Sequence, residues 1–231
     1  MSRLSIIVPT LDEAAGIARC LSALAPLRAR GAEVIVVDGG SRDATAALAA
    51  PLADRVIAGA RGRAAQMNAG ATLAAGDTLF FLHADTRLPE AADRLVLEGL
   101  QSSGRAWGRF DVAIEAASPL LAIVAASMNA RSRLTGIATG DQAIFARREA
   151  FARAGGFPEI ALMEDVAFSK AMKRLGPPLC LRDKVVTSAR RWERGGTWRT
   201  IFLMWRLRLA YFLGADPAGL AKRYDDGRTS P

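Results

Sequence analysis

Acidic side chains at the predicted ends of strands and at the start of a helix are the residues of this sequence best placed to do chemistry. They are Glu13, Asp38, Asp85, Glu164 and Asp165. The clearest is Asp85, because the apolar run Phe80–Leu82 leads into it through His83 and Ala84. A strand buried in a parallel sheet is continuously apolar and turns polar where it emerges, and ligands of open α/β sheets bind beyond that end. A carboxylate there can hold a metal ion or accept hydrogen bonds from a ligand.

The elements that must position these carboxylates alternate between strand and helix in the first hundred residues. Strands are predicted at Leu4–Val8, Glu33–Val37, Arg55–Ala58 and Thr78–Leu82. Helices are predicted from Asp12 or Glu13 to Leu24, from Ser41 or Asp43 to Ala50, from Gly62 to Ala75, and from Pro89 to Leu100. This alternation predicts a doubly wound α/β fold, and right-handed crossovers place the four strand ends at one edge of a parallel sheet.

The second half of the chain is less regular. Phe110–Ile114 is expected to form an outer strand, and the tail from Asp216 is expected to be mobile. The remaining predicted elements are helices at Ser118–Arg131, Arg148–Ala154, Glu164–Leu175 and Trp198–Leu213, and strands at Ala143–Ala146 and Cys180–Val186.

Composition narrows the class of protein. A chain of 231 residues suits one domain with a full core, and its formal charge of +8 favours nucleic acid, anionic membranes or phosphorylated ligands as partners. Cys20 and Cys180 match no metal-ligand spacing, so both are expected to be reduced, buried, small apolar residues. Neither a secretion signal nor a run of about 18 apolar residues is apparent, which predicts a cytoplasmic protein.

Several nucleotide-binding motifs are missing. Pro9–Glu13 stands after the first strand where a dinucleotide-binding protein would carry Gly-x-Gly-x-x-Gly, and neither a phosphate-binding P-loop nor a nucleophile elbow occurs. Carboxylates at strand ends can instead accept hydrogen bonds from the ribose and base of a nucleotide. A diphosphate would then need counter-charge from a metal at Asp85 and from nearby arginines.

Seven segments together resemble the family-2 glycosyltransferases of the GT-A fold, over Leu4 to about Trp192. They are IIVPTLDE (6–13), VIVVDGGSRDAT (34–45), GRAAQMNAGA (62–71), FLHADT (81–86), GDQAIFARREAF (140–151), GGFPE (155–159) and MEDVAFSKAMKRLG (163–176). The combination resembles one bacterial subgroup, labelled arsenosugar-biosynthesis or radical-SAM/selenodomain-associated glycosyltransferases. The resemblance implies a GT-A domain over residues 1–192, with a mixed, mainly parallel sheet flanked by helices, and a C-terminal amphipathic helix and tail over 193–231.

The resemblance also implies roles for individual residues. Asp85 would hold a divalent cation, Mg²⁺ or Mn²⁺, and Asp165 would be the catalytic base. The nucleotide would be bound by Pro9, Thr10, Glu13, Asp38, Arg63 and Asn68. The donor sugar and the acceptor would be contacted by Gly140, Asp141, Gln142, Glu164, Arg191 and Trp192.

Three positions depart from the family pattern. His83 stands at the first position of the D-x-D metal motif, where we expect it only to form a hydrogen bond at the strand end. Asp12 replaces the more frequent Asn and is expected to cap the following helix. Ser188 stands at the Gln position of the Gln-x-x-Arg-Trp motif of processive relatives, so only Arg191 and Trp192 match that motif.

The last predicted helix, Trp198–Leu213, is rich in aromatic residues and arginine. It holds five of the fifteen aromatic residues of the chain. Tryptophan and arginine together are typical of a helix at a membrane surface. Packing on the core or on a second subunit is an equal alternative, and the sequence leaves both open.

The expected function is transfer of a sugar, with inversion, from a nucleotide-diphosphate sugar to an acceptor hydroxyl. The donor is expected to be UDP-linked, the acceptor to be a small molecule or lipid-linked, and nucleic acid is not expected as a partner. The protein would be cytoplasmic, with attachment to the inner face of the membrane left open. Two alternative functions remain: a nucleotidyltransferase with a similar α/β fold, and a non-catalytic, basic, membrane-associated protein.

Overall fold

A computed structural model describes residues 3–116 and 118–229, without the side chains of 191, 193, 194 and 225–229. Eight strands form one sheet in the order β3-β2-β1-β4-β7-β6-β8-β5. Their bounds are β1 Leu4–Thr10, β2 Glu33–Asp38, β3 Arg55–Ala58, β4 Thr78–Phe81, β5 Thr86–Arg87, β6 Trp107–Glu115, β7 Phe145–Arg147 and β8 Leu179–Ser188. Strands β1 to β4 are mutually parallel, which confirms the prediction that their ends share one edge.

Helices cover both faces of this mixed sheet. They are α1 Ile17–Ala23, α2 Ala25–Ala29, α3 Thr45–Ala49, α4 Arg63–Leu73, α5 Ala92–Ser103, α6 Pro119–Thr135, α7 Arg148–Arg153, α8 Glu164–Lys173, α9 Arg190–Gly195, α10 Thr197–Phe212 and α11 Pro217–Thr229. A single 3₁₀ turn, Gly140–Gln142, precedes β7.

The two faces of the sheet carry separate apolar cores. Along β1, Ile6 and Val8 belong to one core and Ile7 to the other, because successive strand residues point to opposite faces. All seven residues of β1 are buried, as expected of a strand inside a parallel sheet. Cys20 and Cys180 are both free thiols, as predicted, and Cys20 is buried in the core behind β1. Cys180 is only partly buried, so the expectation of burial was wrong for it.

Two predictions about strands and helix starts were wrong. Strand β6 lies inside the sheet, between β7 and β8, and is not the outer strand that was predicted at Phe110–Ile114. Its polar side chains Arg109 and Asp111 are buried and pair with each other, which allows them to lie inside the sheet. Helix α1 begins after Gly16, and Asp12 does not cap it, because Asp12 accepts a hydrogen bond from the backbone N–H of Arg42 instead.

The expectation of a mobile tail from Asp216 was also wrong for Pro217–Thr229, which form helix α11, while residues 230 and 231 lie outside the described residues. Helix α11 buries Leu220 and Tyr224 against Leu207 of α10 and Met163, the residue before α8. The opposite face of α10 is exposed. None of the helices in the described ranges combines the length and the hydropathy that crossing a bilayer requires.

Helix α10 offers a direct test of this packing, because Leu207 is 2% exposed and Leu209 is 60% exposed. Leu207→Ala should lower the free energy of unfolding by about 2–5 kcal/mol, since it leaves a cavity between α8, α10 and α11. Leu209→Ala is the matched control and should change it by no more than about 0.5 kcal/mol. Urea unfolding measures both, and equal losses would contradict this placement of the helix.

Candidate active site

The loops after β1 and β2 are joined by side-chain hydrogen bonds. Backbone N–H groups of residues 12–14 donate to the side chains of Ser41, Thr45 and Asp43 over 2.8–3.1 Å. In return, Asp12 accepts from the N–H of Arg42 at 2.8 Å. These bonds satisfy backbone groups that a helix would otherwise have used, which explains the late start of α1.

The ends of β1 and β2 hold the predicted nucleotide-binding residues Pro9, Thr10 and Asp38. The carboxylate of Asp38 accepts from the backbone N–H of Ser41 at 2.9 Å and also from the Ser41 hydroxyl. Beneath them, the buried Gln66 amide donates to the carbonyls of Thr10 and Val37, both at 2.7 Å. Gln66 therefore holds the two strand ends together, a role that the sequence analysis did not assign.

Asp85 and Glu13 come together through Arg190. One guanidinium nitrogen of Arg190 lies 3.1 Å from a Glu13 carboxylate oxygen and 3.7 Å from one of Asp85. All three side chains are partly exposed. The two carboxylates therefore bind the positive charge of Arg190 at the surface of the site. Cys20 lies near them, and burial, with the charges of Asp85 and Glu13, raises the pKa of its thiol to about 12.

Gly140 is the point where the strand ends meet the second half of the chain. Its backbone N–H donates to one carboxylate oxygen of Asp165 at 2.9 Å, and the N–H of Val166 donates to the other at 2.7 Å. The ring of His83 packs on the other side, so close that a Cβ at position 140 would lie 2.4 Å from it. His83 Nδ1 is 3.5 Å from Asp141. A side chain at position 140 would require the His83 ring to move.

Glu164, beside Asp165, is 7% exposed. Burial, and then the neighbouring charge of Asp165, raises the pKa of the Glu164 carboxyl, while Arg63 opposes the shift. Because the two carboxylates occupy successive positions of one helix turn, they cannot face the same group. The pair therefore consists of one enclosed carboxyl and one that is held in place by two backbone N–H groups.

Backbone strain accompanies these residues. Among the described residues, the non-glycine positions with positive φ are Asp12 at 54°, Ala143 at 49° and Met163 at 70°. Each is next to a predicted site residue: Glu13, Gln142 or Glu164. Such conformations cost about 1–3 kcal/mol and cluster at functional sites.

Some predicted site residues have partners inside the protein. Asn68 forms two hydrogen bonds with the backbone of Phe157, at 2.8 and 2.9 Å, and so fastens the Gly155–Phe157 loop to α4. Gln142 is fully buried and bonds to Thr139 and Asn129. Trp192 is partly buried in α9, and the side chain of Arg191 lies outside the described residues.

A pocket of about 480 Å³, counted with its open mouth, lies beside Asp165. Arg63, His83, Gly140, Asp141, Glu164 and Asp165 line it together with residues from the C-terminal helices, Met204, Arg208 and Tyr224. The sequence analysis missed these last three and Arg190. The arginines interrupting the apolar pattern of α10 were the only signal for Arg208.

No three His, Cys, Asp or Glu side chains within the described ranges are grouped as a metal cage would require. The chain can supply the Asp85 carboxylate, a hard oxygen ligand of the kind that Mg²⁺ and Mn²⁺ prefer. Arg190 already lies 3.7 Å from that carboxylate, so a bound cation would have to share the carboxylate with the guanidinium.

The pKa of Glu164 predicts how stability changes with pH. Burial raises this pKa above its ordinary value of 4.5, so the folded protein favours the protonated carboxyl. The contribution of Glu164 to the free energy of unfolding is therefore fully present below pH 4.5 and is lost as pH rises through the folded-state pKa. Glu164→Gln keeps a neutral side chain and should raise Tm relative to wild type at pH 8 but not at pH 4. A change of about 1 kcal/mol in the free energy of unfolding would shift Tm by about 2–4 °C.

Thermal unfolding between pH 4 and pH 8 measures that difference. Glu159→Gln, which removes an exposed carboxylate, is the control and should leave the Tm–pH curve unchanged. A Glu164→Gln curve parallel to that of wild type would contradict the burial effect.

Comparison with known proteins places this geometry in context. A PGL/p-HBAD biosynthesis glycosyltransferase of Mycobacterium bovis is 43% identical over 94 residues. The match covers 38% of this chain and 37% of that protein, so the chain spans little more than a third of its length. A protein of the same description from Mycobacterium tuberculosis H37Rv matches equally well.

Solved structures share the fold. The mannosyltransferase PcManGT from Pyrobaculum calidifontis, in complex with GDP-Man and Mn²⁺, aligns with a TM-score of 0.66 and 22% identity over 99% of this chain and 70% of its own. S. aureus TarS 1-349 aligns with a TM-score of 0.65 and 18% identity over 86% and 64%. Glucosyl-3-phosphoglycerate synthase from M. tuberculosis, with Mn²⁺, UDP and glucosyl-3-phosphoglycerate, aligns at 0.59 and 17% over 80% and 71%.

These neighbours confirm the predicted GT-A fold. The model of the family described as glycosyl transferase family 2 matches residues 5–150. Because that match covers more than half of the 231 residues, the chain belongs to glycosyl transferase family 2.

Proposed function

We propose that this glycosyltransferase transfers a sugar from a UDP-sugar to an acceptor hydroxyl in one displacement, with inversion at the anomeric carbon. The observation that carries the proposal is the position of Asp165. It lines the pocket, and two backbone N–H groups fix the orientation of its carboxylate. In this role Asp165 takes the proton of the acceptor hydroxyl, whose oxygen attacks the anomeric carbon from the face opposite the leaving diphosphate.

The donor nucleotide lies across the ends of β1 and β2 in this proposal. Thr10 and Asp38 are adjacent there, and Glu13 follows in the loop after β1, where its backbone N–H donates to the side chain of Thr45. Arg63, at the start of α4, is exposed and lines the pocket, where its charge can balance a phosphate. GT-A neighbours are described in complexes with UDP and with GDP-Man, which supports a nucleotide-sugar donor.

A divalent cation, Mg²⁺ or Mn²⁺, would be held by Asp85, with the diphosphate providing further oxygen ligands. Such a cation neutralises the charge that develops on the leaving diphosphate. Arg190 contributes a second positive charge at the same place, since it already contacts Asp85 and Glu13. Neighbours in complexes with Mn²⁺ or Mg²⁺ support a divalent cation as cofactor.

The nucleotidyltransferase alternative is disfavoured by the loop after β1. A triphosphate would need free backbone N–H groups there. Those of residues 12–14 are bonded to Ser41, Asp43 and Thr45, and the same loop carries the acidic side chains Asp12 and Glu13.

The exposed face of α10 supports contact with an anionic membrane surface on the inner face of the cell membrane. Five large apolar side chains form a stripe at spacings of four and three residues, each at least 60% exposed: Trp198, Phe202, Trp205, Leu209 and Phe212. The helix also carries arginines, and the chain has a net charge of +8, which complements anionic lipid. A lipid-linked acceptor would reach the pocket on the other face of the same helix.

Asp165→Asn tests the catalytic proposal. Loss of the base should reduce the release of UDP or GDP from a panel of nucleotide sugars by about 10²–10⁴-fold. The shape of the side chain is kept, so UDP with Mn²⁺ should still raise Tm as it does for wild type, by mass action.

Asp183→Asn, which removes an exposed carboxylate of β8, is the matched control and should keep wild-type activity. Full activity of Asp165→Asn would exclude it as the base, and loss confined to Glu164→Gln would assign the role to Glu164. A wild-type protein whose Tm no nucleotide diphosphate changes would overturn the donor assignment.

Liposome flotation tests the membrane contact. Wild-type protein should float with vesicles that contain phosphatidylglycerol and not with pure phosphatidylcholine, and Trp205→Ala should reduce flotation several-fold. Leu134→Ala removes a side chain of α6 that is 88% exposed and serves as control. Unchanged flotation of Trp205→Ala would contradict the proposal, as would a Trp205-dependent dimer in light scattering without lipid binding.

A further inference from the structure

We propose that Arg190 competes with the divalent cation for the carboxylates of Asp85 and Glu13, and that the diphosphate of the nucleotide releases it. The cation alone then binds weakly, and cation and nucleotide bind cooperatively. The inference rests on the proposed function, because it takes Asp85 as the cation ligand and the strand ends as the nucleotide site. It adds the regulation of that site.

The pairing of β5 with β8 places Arg190 beside Asp85. These strands are antiparallel, with Thr86 opposite Thr187, so the residue before β5 lies next to the residues at the end of β8. The backbone N–H of Ser188 donates to the carbonyl of Asp85 at 3.2 Å, and the N–H of Arg190 donates to the Ser188 hydroxyl at 3.2 Å. The sheet therefore holds the backbone of Arg190 within reach of the Asp85 carboxylate.

The guanidinium of Arg190 lies against two carboxylates at once. One of its nitrogens is 3.1 Å from an oxygen of Glu13 and 3.7 Å from an oxygen of Asp85. Mg²⁺ lies about 2.0–2.1 Å from its oxygen ligands, so a cation on the same oxygen of Asp85 would lie within about 6 Å of that nitrogen. This distance is shorter than the Debye length of about 8 Å, so the two positive charges repel each other.

The side chain of Arg190 can change partners without a change in the fold. It is 43% exposed, and within the described residues its guanidinium donates a hydrogen bond only to Glu13. Ion pairs with this exposure are weak. A diphosphate carries more charge than either carboxylate and offers several oxygens to the guanidinium fork, so it can draw Arg190 away from them.

Cooperative binding follows from this change of partners. Once Arg190 contacts the diphosphate, the carboxylate of Asp85 is available to the cation, and the diphosphate supplies further oxygen ligands. Coupling between two ligands is reciprocal, so the cation strengthens nucleotide binding by the same factor as the nucleotide strengthens cation binding.

A purely structural ion pair is a weaker explanation of the contact. The pairing of β5 with β8 already holds this part of the chain, and an ion pair this exposed adds little stability. Arg190 also stands at a position that the Gln-x-x-Arg-Trp motif leaves unspecified, so the family resemblance gives it no role.

Binding of Mn²⁺ to the full chain without nucleotide tests the inference, with unbound Mn²⁺ measured by electron paramagnetic resonance. Wild type should bind weakly. Arg190→Gln should bind about 3–30-fold more tightly, because it removes a positive charge about 6 Å from a divalent cation. Arg190→Lys keeps that charge and should resemble wild type. Adding Asp85→Asn to Arg190→Gln should abolish the gain.

Arg87→Gln is the matched control. Arg87 is 44% exposed and lies two residues from Asp85, but its guanidinium pairs with Glu115. The variant removes the same charge from the same region and should bind Mn²⁺ like wild type.

Affinity for UDP separates competition from structural damage, because the two ligands should respond in opposite directions. In calorimetry with EDTA, Arg190→Gln should bind UDP about tenfold more weakly, since the diphosphate loses a charged hydrogen bond. UDP should also increase the affinity for Mn²⁺ by a smaller factor in Arg190→Gln than in wild type. Weaker binding of both ligands would assign Arg190 a structural role and overturn the inference.

The remaining outcomes distinguish this inference from the proposed function. A wild-type protein that binds no UDP in the presence of Mn²⁺ would overturn the proposed donor, and one that binds UDP but never Mn²⁺ would overturn the proposed cation. If wild type binds both, equal Mn²⁺ affinities of Arg190→Gln and Arg87→Gln would overturn this inference alone. A gain in Mn²⁺ affinity that persists with Asp85→Asn would do the same.

Discussion

The contact of Gly140 with His83 on one side and Asp165 on the other is the constraint on which the site depends. His83 belongs to the end of β4, and Asp165 belongs to the first turn of α8, so this contact joins the two halves of the chain. A side chain at position 140 would displace the His83 ring from this contact. The buried bonds of Gln142 to Thr139 and Asn129 hold the turn in place from behind.

Helix α10 has two faces with different environments. One face packs through Leu207 on Met163 and closes the pocket with Met204 and Arg208. The other presents an aromatic stripe to solvent. A surface that contacted this stripe would therefore lie one helix diameter, about 10 Å, from the pocket wall. The strained backbone of Met163 lies between this packing and the two carboxylates that follow it.

Several residues in the family-like segments support the site without facing it. Ser41, Asp43 and Thr45 brace the loop after β1, Gln66 joins two strand ends, and Asn68 fastens the loop at Phe157. A motif defined by sequence contains both ligand-binding and supporting residues, because the position of a carboxylate depends on the backbone bonds around it. The sequence could not separate the two kinds, since both are polar and both lie at loop positions.

By itself the sequence determined the four parallel strands, the edge where their polar ends meet, and the glycosyltransferase family, because apolar runs and turn residues are local signals. It predicted an outer strand at Phe110–Ile114 and a mobile tail from Asp216, because neither the order of strands in a sheet nor the packing of a distant helix is a local signal. Only the tertiary structure decided that Arg190 joins Glu13 to Asp85 and that Arg208 reaches the pocket of Asp165. These contacts link residues up to 177 positions apart, and their geometry arises from packing that no local pattern encodes.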